Sequence, residues 1–437
     1  MFRKIKSYIA EYLRSSSTRI LVIDGARQVG KSYIIRETGK ELFENYVEIN
    51  LLEDSLKERL FENTKTTEDF YLTLSMVAGD KLKNKADTLV FLDEIQVYPH
   101  LLTLLKFLRQ DDRFTYIASG SLLGVTLSLT SSIPMGSMEI RHMYPMDFEE
   151  YLIATGFGEL ALKTLKRKFD ERKTLEEAMH NRMMDLFRKY LLSGGLPDAV
   201  KTFIETKNIV TVRGIQSDIH DYYAADASKY DTEHRLGIRR IYDMIPSTLE
   251  NKKKRLKFND IEYKKGKRYS SYRDEFDYLT SSGIALEVQA VSTPVFPLTE
   301  HSGKNLLKLY LNDVGILSGI LYENNIRAVL DDKVSINLGS VYEAVVAEEL
   351  RAHGHSLYYY DNKAKGEVDF LLNDYDNLSV LPIEVKSGKD YTVHSALSAF
   401  LSNPDYNIKN GIVLSNERNV YTENGITYMP VYYVMFL

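Results

Sequence analysis

Apolar positions along the chain follow two periods, and the change from one to the other divides it. Phe2, Ile5, Ile9 and Leu13 recur at helical spacing, which predicts an amphipathic helix within residues 1–18. "RILVIDG" (19–25) is instead a continuous apolar, β-branched run ending in glycine, the pattern of a strand covered on both faces. "TLVFLDE" (88–94) and "FTYIASGS" (114–121) repeat it. From 146 to 250 the period is helical, with alternating charged and apolar positions in "LALKTLKRKFDERKTLEEAMHNRMMDLFRKYLL". Beyond that, "SYRDEFDYLTSSGIALEVQAVS" reads as a helix, a turn at Gly283 and a strand. "GSVYEAVVAEELRAHG" (339–354) reads as a helix, and "KGEVDFLL" and "PIEVKSG" as strands. The pattern is that of an α/β multidomain chain.

The composition fits this. A chain of 437 residues implies two to four domains, and 44% hydrophobic with 27% charged residues is an ordinary globular balance. Lacking cysteine, the chain has neither disulfides nor thiolate metal sites, and a reducing, cytoplasmic setting is expected. No apolar run reaches the roughly 18–20 residues of a membrane span. The basic, Ser-rich N-terminus has no apolar signal region, which favours the helix over a targeting segment. A net charge of −5 selects no partner by itself.

The chemistry begins where the first strand ends. "GARQVGKS" (25–32) fits G-x-x-x-x-G-K-[ST] in full, between a strand and the helical pattern "SYIIRETGKELF". Gly25 and Gly30 permit backbone angles that turn successive N–H groups toward phosphates. Lys31 suits β/γ-phosphate oxygens, and the Ser32 hydroxyl suits Mg²⁺. Arg27, Gln28, Val29 and Tyr33 complete the expected ATP contacts. Asp93 is expected to hold the Mg²⁺ of bound ATP, and Glu94 to polarise the attacking water. Ser121 is the candidate to sense the γ-phosphate or orient that water, ahead of Ser119. A plain polar turn explains both serines equally well. Arg27, Arg113 and Arg141 are candidates for a transition-state charge.

Read in order, "GARQVGKS", "FLDEIQVYP", "ASGSLLG", "PMGSMEIRHMYPMDFEEYL" and "LSGGLPDAV" resemble a family of prokaryotic AAA+-type P-loop ATPases. Those proteins carry a C-terminal domain of unknown function related to restriction endonucleases. The resemblance covers about residue 15 to the end of the chain. It implies a P-loop ATPase core at 19–150, a helical lid and connector at 151–232, a winged helix at 233–295 and a restriction-endonuclease-like domain at 296–437. It also implies that Pro197, in Gly195-Leu196-Pro197, belongs to a lid turn packing on the adenine. From the residues alone, that turn is a break between two helices.

Residues 251–273 hold ten Lys or Arg against Asp260 and Glu262, with Phe258, Tyr263, Tyr269 and Tyr272 interleaved. On a winged helix, Lys264, Lys265, Lys267, Arg268 and Arg273 would contact DNA phosphates. The same charge also suits a solvated loop used for protein contacts. Farther on, Glu343 shares a helical face with Val346, Ala347 and Leu350, where a carboxylate is costly unless paired or metal-bound. Asp369 lies on the strand side opposite Val368 and Phe370, and Glu384 and Lys386 share a side. This set resembles the PD-(D/E)xK nuclease core, except that "GEVD" lacks the proline of the fullest signature. In that chemistry Glu343, Asp369 and Glu384 hold Mg²⁺ and Lys386 neutralises developing charge. The competing reading is an ion-paired relic in which Lys386 bridges Glu384 and Asp369. His353, His355 and His394 show no metal spacing.

Two functions fit. One is an ATPase controlling a DNA-binding, nuclease-like module. The other is a signalling or scaffold ATPase whose nucleotide state switches contacts with another protein and whose nuclease-like domain is inert. Either is compatible with an oligomer and needs no membrane.

Overall fold

A strand apolar along most of its length must be shielded on both faces, and the first unit is built around such strands, with more polar strands at the two edges of the sheet. The computed structural model describes the chain except residues 16, 130–135, 231–234, 252, 331–337, 363–365, 389–391 and 393–394, so His394 lies outside the described residues. The chain forms two compact units, 1–144 with 281–283, and 145–280 with 284–437.

The first unit runs α1 (Lys4–Arg14), β1 (Ile20–Asp24), α2 (Lys31–Leu42), β2 (Asn45–Asn50), α3 (Leu51–Leu56), α4 (Thr67–Ala78), β3 (Thr88–Asp93), α5 (Pro99–Asp111), β4 (Thr115–Gly120), α6 (Leu123–Leu129) and β5 (Met138–His142). Its strands lie in the order β2-β3-β4-β1-β5, all parallel. β1 and β3 are buried at every position, which is why their sequences do not alternate. Val22, Val90 and Leu92 join Phe70, Leu102 and Leu105 of the flanking helices in one core. α1 buries Ile9 and Leu13, while Phe2 of the expected apolar stripe is exposed. Arg3, just before α1, donates to Val29 O at 2.7 Å, tying the helix to the loop after β1. In a parallel sheet every strand points the same way, so the loops after β1, β3 and β4 converge on one edge.

The second unit opens with α7 (Phe148–Ala154), α8 (Glu159–Asp170), α9 (Glu177–Ser193), α10 (Pro197–Thr206), α11 (Ile209–Tyr230), α12 (Arg235–Leu249), α13 (Phe258–Glu262) and α14 (Arg273–Ser281). There follow β6 (Ala285–Val291), β7 (Ser302–Leu311), α15 (Val314–Tyr322), α16 (Arg327–Leu330), α17 (Gly339–Ala352), β8 (Tyr358–Asn362), β9 (Gly366–Asp374), β10 (Ser379–Lys386), α18 (Ser395–Ser402), β11 (Gly411–Ser415), β12 (Tyr421–Glu423) and β13 (Ile426–Pro430). The helix, glycine turn and strand expected around Gly283 are present, with Gly283 at φ +74°.

The expected boundary at 295/296 does not divide two sheets. β6 pairs antiparallel with β7 and parallel with β8, through Gln289–Tyr358 and Ala290–Tyr359. One mixed sheet therefore runs β12-β13-β11-β10-β9-β8-β6-β7. The sequence places β6 and β8 nearly seventy residues apart, and strand pairing over that separation leaves no local signal. The expected boundary at 150/151 falls six residues after the break at 144/145. Among the described residues no helix is long and apolar enough to cross a membrane.

A buried aspartate anchors the helical part of this unit. Asp313, fully buried, accepts from Gly195 N at 2.7 Å and Ile316 N at 3.0 Å, and also from the amides of Leu196 and Gly315. Gly194 sits so close that a Cβ would stand 2.2 Å from Asp313 Oδ1. The Gly194-Gly195 break between α9 and α10 is thus held by one carboxylate. Burial nonetheless pushes its pKa up to about 6.

Candidate functional site

Residues 25–30 join β1 to α2 with Gly25, Gln28 and Gly30 all at positive φ, at 141°, 65° and 95°. Gly25 has a second constraint: a Cβ there would stand 2.2 Å from Met143 O, because Met143 N donates to Asp24 O at 2.7 Å and draws the chain after β5 against the loop. Gly30 is the N-cap of α2, so the first N–H groups of that helix face the loop's concavity. Lys31 folds back beneath it, its Nζ donating to Gly25 O at 2.9 Å and Ala26 O at 2.8 Å. An ammonium carries three N–H groups, so one further bond is available to a phosphate oxygen. Burial lowers the Lys31 pKa against the opposing pull of Glu94, Asp24 and Asp93.

Asp93, at the end of β3, accepts from the hydroxyls of Ser119 and Ser32. Burial raises its pKa and those hydroxyls moderate the rise. Ser32 and Asp93 thus meet, as joint ligation of one Mg²⁺ requires. Glu94 is held in the left-handed region at φ 57° and ψ 45°, a conformation costing about 1 kcal/mol or more for a residue with a Cβ. Its carboxylate accepts from Ser121 Oγ at 2.8 Å and from the Gln96 amide, and Arg27 Nη1 lies 3.8 Å from its other oxygen. Gln96 also donates to Ser121 Oγ at 3.2 Å. Gly120 leaves room for it: a Cβ there would be 2.9 Å from Gln96 Oε1.

Gly25, Arg27, Gly30, Lys31, Ser32, Asp93, Glu94 and Ser121 therefore belong to one edge of one sheet, and Ser119 joins them through Asp93. Tyr33 does not, being 47% exposed and bonded to Glu37. Val29 is buried with its carbonyl taken by Arg3, while Gln28 is exposed. Arg113 precedes β4, at the opposite end of the sheet, and stacks over Tyr71. Arg141 lies over Tyr8 and pairs with Glu139 at 3.1 Å. Of the three candidate arginines only Arg27 stands at the site. Pro197 is in the second unit, at the first turn of α10. Sequence reasoning missed Gln96, although it lies two residues beyond the Asp-Glu pair, and Asp24, whose Oδ2 is 3.4 Å from His142 Nδ1. Asp24 Oδ1 and Gln96 Oε1 are buried acceptors without a donor among the described residues. A hydrated cation and a water would supply donors to both, so the residues fit Mg²⁺ and ATP.

The second constellation differs from its expectation. Among the described residues no three His, Cys, Asp or Glu side chains are placed to hold a metal ion. The open site expected from Glu343, Asp369 and Glu384 is not formed, because lysines stand against the carboxylates. Lys254 pairs directly with Glu343, which also accepts from Tyr310 OH at 3.1 Å. Lys386 Nζ is 3.2 Å from Glu384 Oε1. Lys308, on β7 and 0% exposed, lies 2.5 Å from Glu367. Burial lowers the Lys308 pKa, but Glu343, Glu367 and Asp369 overcome this and raise it. Asp369 accepts from Val385 N at 2.9 Å, and burial with Glu343 and Glu384 pushes its pKa up. The neighbours Lys254 and Lys308 could not be foreseen from motif spacing, since they come from a loop and a strand far upstream.

The basic segment is paired only in part. Lys264 and Lys267 lie 3.1 and 3.5 Å from Glu262, and Arg273 is 3.5 Å from Asp277. Lys265 and Arg268 are exposed, beside Tyr263 at 93% exposure.

Burial raises the pKa of Asp93, Asp313, Glu348 and Asp369 alike. Such groups keep their proton in the fold at a pH where the unfolded chain has lost it. Their contribution is fully present below about pH 4 and is lost as pH rises through the folded values, the Asp313 part being on the order of 2–3 kcal/mol. His180, His220 and His355, whose pKa burial lowers, act the other way over the same range, so the quantity to measure is a difference: the urea midpoint of wild type relative to Asp313→Asn is expected to be higher near about pH 5 than near about pH 8. A difference that does not change with pH would contradict a raised Asp313 pKa.

Three stretches of the chain match family models. Residues 17–152 match the model of an AAA domain, residues 184–326 a domain of unknown function (DUF8612) and residues 338–434 a domain of unknown function (DUF4143). The first unit thus carries a P-loop ATPase domain of the AAA type. Among solved structures, the Walker-type ATPase PABY2304 of Pyrococcus abyssi is 13% identical, with 72% of this chain and 95% of that chain covered and a TM-score of 0.45. Cdc6p from Pyrobaculum aerophilum is 10% identical, with 76% and 95% covered and a TM-score of 0.24. The S. cerevisiae Hsp104–ADP complex is 13% identical, with 63% and 38% covered and a TM-score of 0.29. No curated protein sequence matches the chain.

Proposed function

We propose that this chain hydrolyses ATP with Mg²⁺ in its first unit and uses the nucleotide state to control DNA contacts made by the second. The observation that carries hydrolysis, beyond binding, is Glu94. It is held in a strained conformation next to the Ser32–Asp93 pair and clamped by Ser121 and Gln96. In the bound state Mg²⁺ would neutralise charge on the phosphates. Lys31 and the amides opening α2 hold the phosphate oxygens, Ser32 and Asp93 hold the ion, and Glu94 takes a proton from water. Arg27, now paired with Glu94, supplies positive charge beside it.

For the second unit we read α12, α13 and α14 with the hairpin β6–β7 as a winged helix, α7 to α11 as lid and connector with Pro197 toward the adenine, and β8 to β13 with α17 as a nuclease-like sheet. Lys265 and Arg268, with Lys264, Lys267 and Arg273 released from their acidic neighbours, would contact phosphates. The ion pairing of the Glu343 cluster favours a second reading, in which the nuclease-like part is inert and the nucleotide switches protein contacts.

One experiment tests both halves of the proposal. ATP turnover by wild type and Lys31→Ala is measured with and without duplex DNA across a salt series. Wild type is expected to turn over ATP, with DNA changing the rate at low salt and losing that effect as salt rises, while Lys31→Ala is expected to lose binding and turnover. Equal turnover by both proteins would refute the ATP site. A rate indifferent to DNA at every salt concentration would leave the protein-contact reading.

A further inference from the structure

Glu343, Asp369 and Glu384 come from one helix and two neighbouring strands, yet the charge facing them is ammonium. Of the three lysines, Lys386 belongs to the same motif and lies on the same strand as Glu384, and Lys308 has its direct ion pair with Glu367 and acts on Glu343 and Asp369 through its charge alone. Lys254 is different. It lies between α12 and α13, distant in sequence from the whole motif, and pairs directly with Glu343. Its side chain is 18% exposed and that of Glu343 only 6%. The backbone at Lys254 is held in the left-handed region at φ 42°, a conformation that persists where surrounding contacts impose it. Two such contacts follow it: Arg255 Nη2 pairs with Asp361 at 2.6 Å, and Leu256 N donates to Leu307 O at 3.1 Å. The two residues that follow Lys254 are therefore anchored, which fixes the backbone from which its ammonium reaches Glu343. An ammonium and a hydrated divalent cation compete for the same oxygens, and a positive charge a few ångströms away opposes the entry of another.

We propose that Lys254 is an internal plug in a divalent-cation site made by Glu343, Asp369 and Glu384, so that the site accepts a metal only when the Lys253–Lys257 segment withdraws. The inference rests on reading this sheet as nuclease-like. It adds the residue that keeps the sheet closed. Lys254 satisfies Glu343 in the metal-free state and makes metal binding conditional on movement of the chain before α13, the segment that leads into the proposed DNA-contacting helices.

The test is Mn²⁺ binding without nucleotide, followed by electron paramagnetic resonance and calorimetry on the full chain. An Asp93→Asn background removes the other metal position. The parent is expected to leave millimolar Mn²⁺ free. Lys254→Met is expected to gain affinity by at least about tenfold from removal of the neighbouring charge. Adding Asp369→Asn should erase that gain, and Lys254→Arg should stay closed. Lys254→Gln, which can still donate to Glu343, replaces Lys254→Met if the latter does not fold. Parent and Lys254→Met binding Mn²⁺ equally through Asp369 would overturn the plug and leave the metal reading standing. A folded Lys254→Met or Lys254→Gln that binds none would overturn both.

Discussion

Glu94→Gln is expected to lower kcat for ATP hydrolysis by about 10²–10⁴, the usual contribution of a positioned general base, while ATP still binds. The substitution keeps the shape of the side chain and an oxygen to accept from Ser121 and Gln96, but the amide cannot take a proton from water. Since Lys31, Ser32 and Asp93 are untouched, affinity for ATP is expected to change little, and the loss should lie in kcat rather than in binding. Single-turnover phosphate release alongside nucleotide titration reads the two quantities separately. A variant retaining wild-type kcat would remove Glu94 from the chemistry and leave its strained backbone unexplained.

The second large effect falls on stability. Asp313→Ala strips acceptors from the amides of Gly195, Leu196, Gly315 and Ile316 in a site closed to solvent. Each buried amide left without a partner costs about 1–3 kcal/mol. Even with relaxation and the proton penalty of the native carboxylate removed, a net loss of about 3–6 kcal/mol is expected, against a typical total of about 5–15 kcal/mol. Asp313→Asn should be intermediate, because its one oxygen accepts while its NH₂ opposes an amide. Urea unfolding monitored by circular dichroism gives the comparison. A midpoint within error of wild type for Asp313→Ala would mean that the Gly194-Gly195 break is held by something else.

The contrast between the two sites shows what a sequence can and cannot carry. The phosphate loop was legible because its residues are contiguous and its context is local: a buried strand, two glycines with special backbone needs, a lysine and a hydroxyl opening a helix. Asp93 and Glu94 were legible for the same reason, closing an apolar run. Their partners were harder. Ser121 and Ser119 could be narrowed to a strand end, but which carboxylate each would bind depends on β4 lying next to β3. Gln96 was hidden because a glutamine two residues past a motif has no distinctive spacing. In the second unit the acids and Lys386 were found by alternation, whereas Lys254, Lys308 and Tyr310 reach them only through tertiary packing. Local periodicity named the carboxylates; it could not say that cations of the chain itself would neutralise them. Asp313 escaped notice because one aspartate before an apolar helix looks like an ordinary cap, a role it also fills toward Ile316.

The parallel register between β6 and β8 has a mechanical corollary. Strands that share a ladder cannot swivel past one another without breaking it, so the hairpin behind α14 and the strands bearing Asp369 and Glu384 travel as a single plate. A tug on one margin of that plate arrives at the other as displacement instead of being absorbed by a soft joint. Severing the polypeptide near residue 295 would bare a strand margin to foreign chains instead of releasing two self-sufficient halves.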